Sequence, residues 1–356
     1  MRSINIEKLI GNEKLGKQVY DDYGRILLDE GVILTPFYIQ KLKDRGIISV
    51  IIDDEISKDI VLEENISEKT KQLTKRAIKE MMDDYSKNGV ANNAAVIKSV
   101  NSIIDEVLCN KDVMINVSDI RAVDDNIYSH SINVCVLSTL IGIHMGYNML
   151  KLKDIAIGAL LHDIGKTKIK NDRKVLEEKK TEEELDKYIQ DMHSKVGFDF
   201  LGEQNICNAF SKVIVLMHHE RIDGTGFPIK LKGNEISEYA RLVSVCNTFD
   251  NLISGKDRNG VMPIYEALEC LGVMSGTYLD EEMVKKFAVN IAAYPCGSGV
   301  RLNNNEKCIV VRQNTSMPTR PVLKVIYDKN GEFVKEPYEI DLKMELTLFI
   351  TETFEV

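Results

Sequence analysis

The sequence predicts a mainly α-helical protein in which a helical bundle lies between a small α/β module and a small β extension. From residue 118 to about residue 293, apolar residues recur at helical spacing with short connections. The first 56 residues mix strand-like runs with one helix, and strand-like runs return after Pro295. We therefore expect an N-terminal module at 1–56, a linker and helix at 57–94, a central domain at 95–296 and a β-rich extension at 297–356.

The N-terminal module has signals for a hairpin, a helix and a strand. Val19–Tyr20 and Ile26–Leu28 flank a turn-prone Asp-Asp-Tyr-Gly segment, which predicts a hairpin. Thr35-Pro36 marks the start of a helix that ends at Gly46, because threonine caps a helix, proline suits its first turn and glycine suits its end. Ile47–Ile52 is a β-rich run. This module contains no constellation of catalytic residues.

Two amphipathic helices follow a polar, acidic linker at residues 57–66. One apolar stripe recurs every four residues from Leu73 to Tyr85, and Asn88-Gly89 interrupts it. A second stripe extends from Ile97 to Val107. Each stripe requires an apolar partner. We expect at least partial packing within the chain, and a homodimer through residues 67–109 is the alternative.

Helix starts and a hairpin turn delimit the remaining elements. Thr181 followed by three glutamates forms a capping signal for a long helix that leads to His193. Pro263 and Asp280 each mark the start of a later helix. In the C-terminal extension, Asn330-Gly331 predicts a type I′ hairpin turn.

Composition and charge exclude several classes of protein. The net charge of −9 disfavours binding to a nucleic acid polymer, because the chain has no excess of cations to neutralise phosphates. No apolar run reaches the roughly 18 residues that span a bilayer, and the first residues lack a secretory h-region. Seven scattered cysteines without a Cys-x-x-Cys pair favour reduced thiols. We therefore expect a cytoplasmic protein that does not bind membranes.

Histidines are concentrated in the central domain. His162 and Asp163 come directly after an apolar run and just before a glycine, and such side chains require a compensating charge when they are buried. His130 precedes them, and His193, His218 and His219 follow, so five of the six histidines fall within one span. Helices of a bundle bring such distant side chains into one interior site, which predicts a metal centre.

The sixth histidine is expected to lie outside this centre. His144 lies 14 residues beyond His130, which corresponds to about 21 Å along a helix at about 1.5 Å per residue. The two side chains therefore cannot share an ion. A lone histidine on an apolar helix is usually a hydrogen-bonded core residue, and this is the interpretation for His144.

The adjacent ligand pairs predict two ions. Neighbouring residues of a helix point about 100° apart, so His162 and Asp163 are not expected to face one ion, and neither are His218 and His219. Two ions bridged by the carboxylate of Asp163 resolve this. Five imidazoles also exceed the three protein ligands of an open zinc site. Imidazole with carboxylate suits iron, manganese or zinc, and the spacing does not choose among them.

Several motifs combine around these residues. The elements are Tyr-Ser-His-Ser-Ile-Asn-Val at 128–134, His-Asp-Ile-Gly-Lys at 162–166, His193 with Gly197, His-His-Glu-Arg at 218–221 and Asp-Gly-Thr-Gly-Phe-Pro at 223–228. With these elements, residues 95–296 resemble the HD-GYP family, a branch of the HD phosphohydrolase superfamily. Phe227 stands where the family's name-giving tyrosine is expected. The glycine-containing loop after His219 is a candidate substrate-facing loop, because glycine allows a ligand to approach the backbone closely.

The resemblance implies an HD-type helical bundle with two divalent ions, often iron or manganese; zinc, nickel, magnesium and calcium stay open. It implies hydrolysis of cyclic di-GMP, to pGpG or on to GMP, by a hydroxide that two metals activate. Asp163 and Lys166 are the implied catalytic residues, with Lys166 also contacting substrate phosphate. Arg221 and the loop would border the pocket. By position, the metal ligands would be His130, His162, Asp163, His193, His218, His219 and Asn247, and the substrate-binding residues Lys166, Arg221, Asp223, Gly224 and Gly226.

Asn247 is the main departure from the family pattern. The family places an aspartate ligand there, and asparagine offers an oxygen without the charge, so one metal site should be weaker. Asp250, one turn later, is an alternative ligand. Three functions follow as hypotheses: a working cyclic di-GMP phosphodiesterase, a catalytically weak or inactive cyclic-dinucleotide sensor, and a hydrolase of another phosphate ester.

Overall fold

A computed structural model describes residues 1–21, 25–47, 49–62, 65–111, 114–115, 127–179, 181–255 and 261–354. Within these ranges the chain is mainly α-helical, as the sequence predicts. The helices are α1 Pro36–Lys43, α2 Glu68–Asn88, α3 Ala94–Cys109, α4 Ile127–His144, α5 Met149–Leu161, α6 Ile164–Lys170, α7 Arg173–Glu178, α8 Glu182–Glu203, α9 Ala209–Met217, α10 Glu238–Ser254, α11 Ile264–Met274 and α12 Glu281–Asn290. The strands are β1 Arg2–Asn5, β2 Lys14–Leu15, β3 Val19–Tyr20, β4 Ile26–Leu28, β5 Ser49–Asp53, β6 Gly299–Leu302, β7 Lys307–Arg312, β8 Val322–Tyr327, β9 Glu339–Asp341 and β10 Ile350–Phe354.

The N-terminal residues form two small antiparallel sheets and one helix. Strands β1, β5 and β2 make the first sheet in that order, and β3 pairs with β4 in the predicted hairpin. Part of the hairpin turn, residues 22–24, lies outside the described residues. The side chain of Thr35 accepts a hydrogen bond from the Tyr38 N–H and so caps α1. Gly46 follows the helix with a φ of +74°, a left-handed conformation that favours glycine.

The segment expected to be a linker is partly packed. Ile60 is buried in an apolar cluster with four residues of the C-terminal sheet: Ile309, Val311, Val322 and Ile326. The Lys324 ammonium also forms an ion pair with Asp59 at 3.0 Å. The chain between β5 and α2 therefore joins the N-terminal residues to the C-terminal sheet. The prediction of a linker rested on the polar and acidic residues of this segment. It gave no weight to Ile60, which is buried.

Helix α4 is the central element of the bundle and packs against α3, α5, α10 and α12. It is the only helix in the described ranges that is long and apolar enough to cross a bilayer, and 78% of that window is buried inside the fold. Because apolar residues cover every side of α4, other helices surround it. This burial is typical of a core helix.

The apolar stripes of α2 and α3 are partly buried within the chain, and the first residue of each stripe, Leu73 and Ile97, is exposed. Ala77, Met81, Val100 and Ile104 belong to the same apolar core as α4 and α5. The ring of Tyr85 also meets Phe200 of α8 edge to face, with centroids 4.8 Å apart. The expected packing within the chain is thus found. A homodimer through residues 67–109 stays a prediction that would use the exposed faces of these helices.

The C-terminal sheet has the strand order β10-β6-β7-β8-β9, with every neighbouring pair antiparallel. The predicted type I′ turn at Asn330-Gly331 is wrong, because only Gly331 has a positive φ. Instead, Asp328 and Glu332 close a three-residue loop: the Asp328 N–H donates to the Glu332 carbonyl, and the Asp328 carboxylate accepts from the N–H groups of Asn330 and Glu332. The Gly331 N–H also donates to the Asp328 carbonyl at 3.0 Å, so the turn extends from Asp328 to Gly331 and the aspartate side chain adds to its backbone hydrogen bond.

Candidate metal centre

The carboxylate of Asp163 lies at the centre of the five predicted histidines. Asp163 occupies the break between α5 and α6 and is 2% exposed. Its Oδ2 lies 3.7 Å from Nε2 of His130 and 3.5 Å from Nε2 of His162. Its Oδ1 lies 3.5 Å from Nε2 of His193 and 3.9 Å from Nε2 of His218. One carboxylate therefore faces two sets of imidazoles, one with each oxygen.

The possible ligand atoms fall into two groups that share Asp163. His130, His162 and Asp163 form the first group, and Asp163 with His193, His218 and His219 forms the second. In each group the ligand atoms all lie within 4.8 Å of one another. This sharing is what the two-ion hypothesis requires of Asp163.

The expectation that His218 and His219 face different ions was wrong, because both fall in one group. His162 also shares a group with Asp163, as the predicted bridging role of that carboxylate requires. The prediction assumed that each pair continues a helix, where side chains diverge by about 100°. In the structure α5 ends at Leu161 and α9 at Met217, so each pair stands where the helix stops. The change of backbone direction lets both members of a pair face the same point.

Backbone carbonyls fix the tautomer of three of these histidines. Nδ1 of His162 donates to the Ala159 carbonyl at 2.7 Å, and Nδ1 of His218 donates to the Val215 carbonyl at 2.8 Å. Nδ1 of His193 donates to carbonyls one turn earlier in α8. A neutral imidazole carries one N–H, so Nε2 of each ring is left as a lone pair. These lone pairs all face Asp163.

The lone pairs lie too close together to be stable without a cation. Nε2 of His162 lies 3.2 Å from Nε2 of His130, and Nε2 of His193 lies 3.3 Å from that of His218 and 3.0 Å from that of His219. Oδ1 of Asp163 is buried and accepts no hydrogen bond within the described chain. Converging acceptors with no proton between them fit divalent metal ions, which bind neutral imidazole and carboxylate.

Asn247 and Asp250 of α10 have different positions around His130. Oδ1 of Asn247 lies 3.0 Å from Nε2 of His130, on the side of the ring that faces the centre. Oδ2 of Asp250 accepts from Nδ1 of His130 at 2.6 Å, on the opposite side of the ring, and Asn133 donates to the other Asp250 oxygen at 3.0 Å. Asp250 is therefore placed to orient His130, not to bind the same ion.

The sequence reading missed this partnership of Asp250 with His130. The sequence did contain a signal for it. Asn133 follows His130 by three residues and Asp250 follows Asn247 by three, so each pair lies on one face of its helix, about one turn apart. The reading placed Asp250 only as an alternative metal ligand. Its actual neighbours depend on how α4 and α10 cross, which spacing along the chain does not give.

Burial keeps four of the imidazoles neutral. It lowers the pKa of His162 from 6.5 to about 4, and it lowers the pKa of His193, His218 and His219 in the same direction. For Asp163 burial opposes ionisation, but the Lys166 ammonium 2.7 Å away holds its pKa well below the usual range. At neutral pH the site therefore offers neutral imidazoles around an ionised carboxylate, the protonation states that bind metals.

Mild acid should destabilise the metal-free protein. An unfolded chain protonates His162 near pH 6.5, whereas the folded chain does so only near pH 4, so the free energy of unfolding falls as the pH drops between these values. Between pH 7.5 and pH 5.0, the protonation of this residue alone should lower the free energy of unfolding by about 2 kcal/mol. Urea denaturation of metal-free wild type and His162→Gln at both pH values measures the difference. An equal loss in the two proteins would contradict the prediction.

Lys166 and Arg221 are the two cations expected to contact substrate. Nζ of Lys166 lies 2.7 Å from Oδ2 of Asp163, and 31% of its side chain is exposed. The Arg221 guanidinium donates to Ser244 Oγ at 2.7 Å and to Thr248 Oγ1 at 3.4 Å, both on α10. Lys166 is thus beside the carboxylate and open to solvent, while contacts with α10 hold Arg221.

The loop after His219 is shaped mainly by its own contacts. The Asp223 carboxylate is exposed and accepts hydrogen bonds from the N–H and the hydroxyl of Thr225. A Cβ on Gly224 would lie 2.5 Å from Cε of Lys232, and one on Gly226 would lie 2.4 Å from the backbone nitrogen of Arg221. The close approaches that require these glycines are therefore made by the chain itself. A role of Asp223, Gly224 and Gly226 in substrate binding stays a prediction.

The chain is similar in sequence to HD domains. Residues 116–283 match the family model described as an HD domain, and residues 299–356 match one described as a KOW domain associated with HD domains. The chain is 25% identical over 268 residues to a cyclic di-GMP phosphodiesterase of Pseudomonas aeruginosa, covering 75% of this chain and 64% of that one. It is 34% identical over 166 residues to a cyclic di-GMP phosphodiesterase of Thermotoga maritima, covering 46% and 44%.

One solved structure supports the fold. An HDG"Y"P protein from Bdellovibrio bacteriovorus superposes with a TM-score of 0.50 at 21% identity, over 80% of this chain and 97% of that one. The chain spans less than two thirds of the length of both curated relatives.

Proposed function

We propose that residues 116–283, which match an HD domain model, form such a domain and that the chain is a metal-dependent phosphodiesterase that hydrolyses cyclic di-GMP. One observation carries the proposal: a single buried carboxylate, Asp163, faces two groups of imidazole nitrogens whose lone pairs converge. The names of the two curated relatives support the choice of substrate.

We assign two divalent ions to the two groups around Asp163. His130, His162 and Asn247 would hold one ion together with Oδ2 of Asp163. The second ion would be held by Oδ1 of Asp163 with His193, His218 and His219. Iron or manganese suits this mixture of imidazole and oxygen ligands, and zinc and nickel accept it as well. Magnesium and calcium prefer oxygen ligands and suit it less.

When bound, two ions supply Lewis acidity that activates a water and neutralises charge on the phosphodiester. The chain's own residues place the substrate. The Lys166 ammonium lies beside Asp163 and is partly exposed, so it would pair with a phosphate oxygen and stabilise the charge that develops there. In the proposed reaction the water oxygen bonds to phosphorus, the bond from phosphorus to the 3′ oxygen breaks, and one proton of the water ends on the 3′ oxygen, which gives pGpG. The same step on the second phosphodiester would give two GMP.

A product assay on protein of known metal content tests the proposal. Protein purified without oxygen and loaded with Fe²⁺ or Mn²⁺ should linearise cyclic di-GMP, while protein treated with a chelator should not. The metal content per chain is measured on the same samples. Protein that holds metal but leaves cyclic di-GMP intact would contradict the proposal. Turnover of other cyclic dinucleotides or nucleotides in a parallel panel would instead point to a different phosphate ester as substrate.

The alternative is a sensor that binds a cyclic dinucleotide with little turnover, and Asn247 motivates it. Asn247 is 3% exposed and offers a neutral oxygen where a second carboxylate would add charge to the ion held by His130 and His162. With Asp163 shared, the described donor groups contain one ionised ligand for two ions. The ion beside Asn247 should therefore bind more weakly.

Asn247→Asp should strengthen the weaker ion site by about tenfold or more, because a carboxylate replaces an amide oxygen in a buried site. Metal titration of the metal-free protein measures the affinity, and the product assay measures turnover. Asn92→Asp, at an exposed position outside the centre, makes the same change of charge and should alter neither. If wild type already turns over substrate and Asn247→Asp lowers that rate, the sensor alternative fails.

A further inference from the structure

His219 differs from the other four imidazoles of the centre. His162, His193 and His218 donate from Nδ1 to backbone carbonyls, and His130 donates to Asp250. No hydrogen bond joins Nδ1 of His219 to another described residue, although its Nε2 lies 3.0 Å from Nε2 of His193. The Nδ1 hydrogen bond that orients each of the other four rings is therefore not found at His219 within the described residues. Another contact must set its orientation.

The ring of Phe227 provides such a contact. Phe227 stacks on His219 with ring centroids 4.5 Å apart and an angle of 17° between the planes. The same ring meets His193 nearly edge-on, with centroids 6.4 Å apart. A flat stack restricts rotation of the imidazole about its Cβ–Cγ bond, because any rotation would drive the ring into the phenyl face. Phe227 thus acts on the ring plane of His219, which decides where Nε2 points.

Glu220 holds the loop that carries Phe227. Its carboxylate is buried, at 2% exposure, and accepts hydrogen bonds from three consecutive backbone N–H groups, those of Ile229, Lys230 and Leu231. Three such bonds to one carboxylate are charge-assisted and strong. They bring the end of the loop back to the residue that follows His219.

The backbone closes the loop at a second point. The Phe227 N–H donates to the carbonyl of His219 at 3.3 Å. Gly226 lies so close to the start of the loop that a Cβ there would be 2.5 Å from Cα of Glu220. Contacts within residues 219–231 therefore fix the position of Phe227 relative to His219.

We propose that Phe227 is a positioning residue for the metal ligand His219 and that Glu220 holds Phe227 in place. The inference rests on the metal-binding part of the proposed function. Contacts that orient a ligand are worth about 10- to 100-fold in metal affinity, and the stack would take that role where Nδ1 has no acceptor. A tyrosine at 227 would stack equally well, so the aromatic face, not a hydroxyl, is the property that matters.

The test compares Phe227→Leu, Phe227→Tyr and Glu220→Gln with wild type. The metal-free proteins are titrated with Co²⁺, and the visible ligand-field absorption reports how many ligands each ion has. Phe227→Leu should weaken the binding of one of the two ions by about tenfold and change the spectrum of that ion, and Phe227→Tyr should restore both. Glu220→Gln should also weaken the binding of that ion and change its spectrum. Phe210→Leu, at a ring that is 59% exposed and contacts Tyr239, is the matched control and should change nothing.

The outcomes separate this inference from the proposed function. Wild-type Co²⁺ affinities and spectrum in Phe227→Leu would overturn it, even if the protein hydrolyses cyclic di-GMP. Altered spectra in Phe227→Leu, with unaltered spectra in Phe227→Tyr and Phe210→Leu, would support it even if no substrate is turned over. Thermal unfolding of each metal-free variant shows whether the chain is folded. If the altered spectrum of Phe227→Leu comes with loss of the fold and Glu220→Gln is folded with a wild-type spectrum, the inference also fails.

Discussion

Replacing Asp163 by asparagine is expected to remove both ions from the protein and to lower turnover of cyclic di-GMP by at least about 1,000-fold. Asp163 is the one carboxylate common to both ligand groups, and each of its oxygens faces a different pair of imidazoles. The amide has the same shape but carries no charge and directs an NH₂ group at one pair of lone pairs. The loss therefore affects both ions together, unlike the loss of any single histidine.

The measurement is metal content per chain after equilibration with Fe²⁺ or Mn²⁺, together with the rate of product formation. The metal-free variant should stay folded, because asparagine fills the same volume at this buried position. Asp186→Asn removes a carboxylate from an exposed position on α8, the helix that carries His193, and should keep both ions and full activity. If Asp163→Asn retains two ions per chain, the shared-carboxylate arrangement is wrong.

Much of this centre could be predicted from the sequence because its residues carry their own signals. His162-Asp163 after an apolar run, and four further histidines within one span, are rare enough to point to a metal. The bridging role proposed for Asp163 was predicted from the divergence of adjacent residues on a helix and from the number of imidazoles. The periodicity of Leu73 to Tyr85 and of Ile97 to Val107 gave the correct helices, since burial of one face is what the pattern records.

Other features depend on how distant parts of the chain meet, and spacing does not contain them. The pairing of His218 with His219 in one group depends on the end of α9 at Met217. The Nδ1 contacts of His162 and His193 are local to a helical turn, but knowing that the rings face one point requires the packing of α5 against α9 and of α6 against α8. The Glu220 contacts with residues 229–231 form only after the loop has folded back.

The close approach of α6 and α8 is a further feature that only the structure reveals, and it predicts a large effect. A Cβ on Gly165 would lie 1.9 Å from the carbonyl oxygen of His193 and 2.8 Å from the nitrogen of Gly197. Gly197 is in turn restricted by Val215, whose Cγ1 would be 2.9 Å from an added Cβ. The three atoms nearest to a Cβ on Gly165 are all backbone atoms, so they cannot rotate away.

Gly165→Ala should therefore destabilise the protein by about 3 kcal/mol or more and displace His193 from the centre. The two effects are linked, because Gly165 follows Asp163 by two residues and the clash falls on the backbone of His193 itself. Urea denaturation of the metal-free variant measures the loss of stability. At a temperature where the variant is folded, metal titration should show weaker binding by the group that contains His193.

Gly272→Ala provides the matched control for the same substitution. Gly272 lies within α11, and an added Cβ there would have no atom of the described residues within 4 Å beyond its chain neighbours and the adjacent backbone of its own helix. Because alanine is a better helix former than glycine, this variant should gain about 0.5 to 1 kcal/mol and bind metal as wild type does. A Gly165→Ala variant that is as stable as wild type would mean that α6 and α8 do not approach as closely as described. Loss of stability with intact metal binding would instead separate the helix contact from the position of His193.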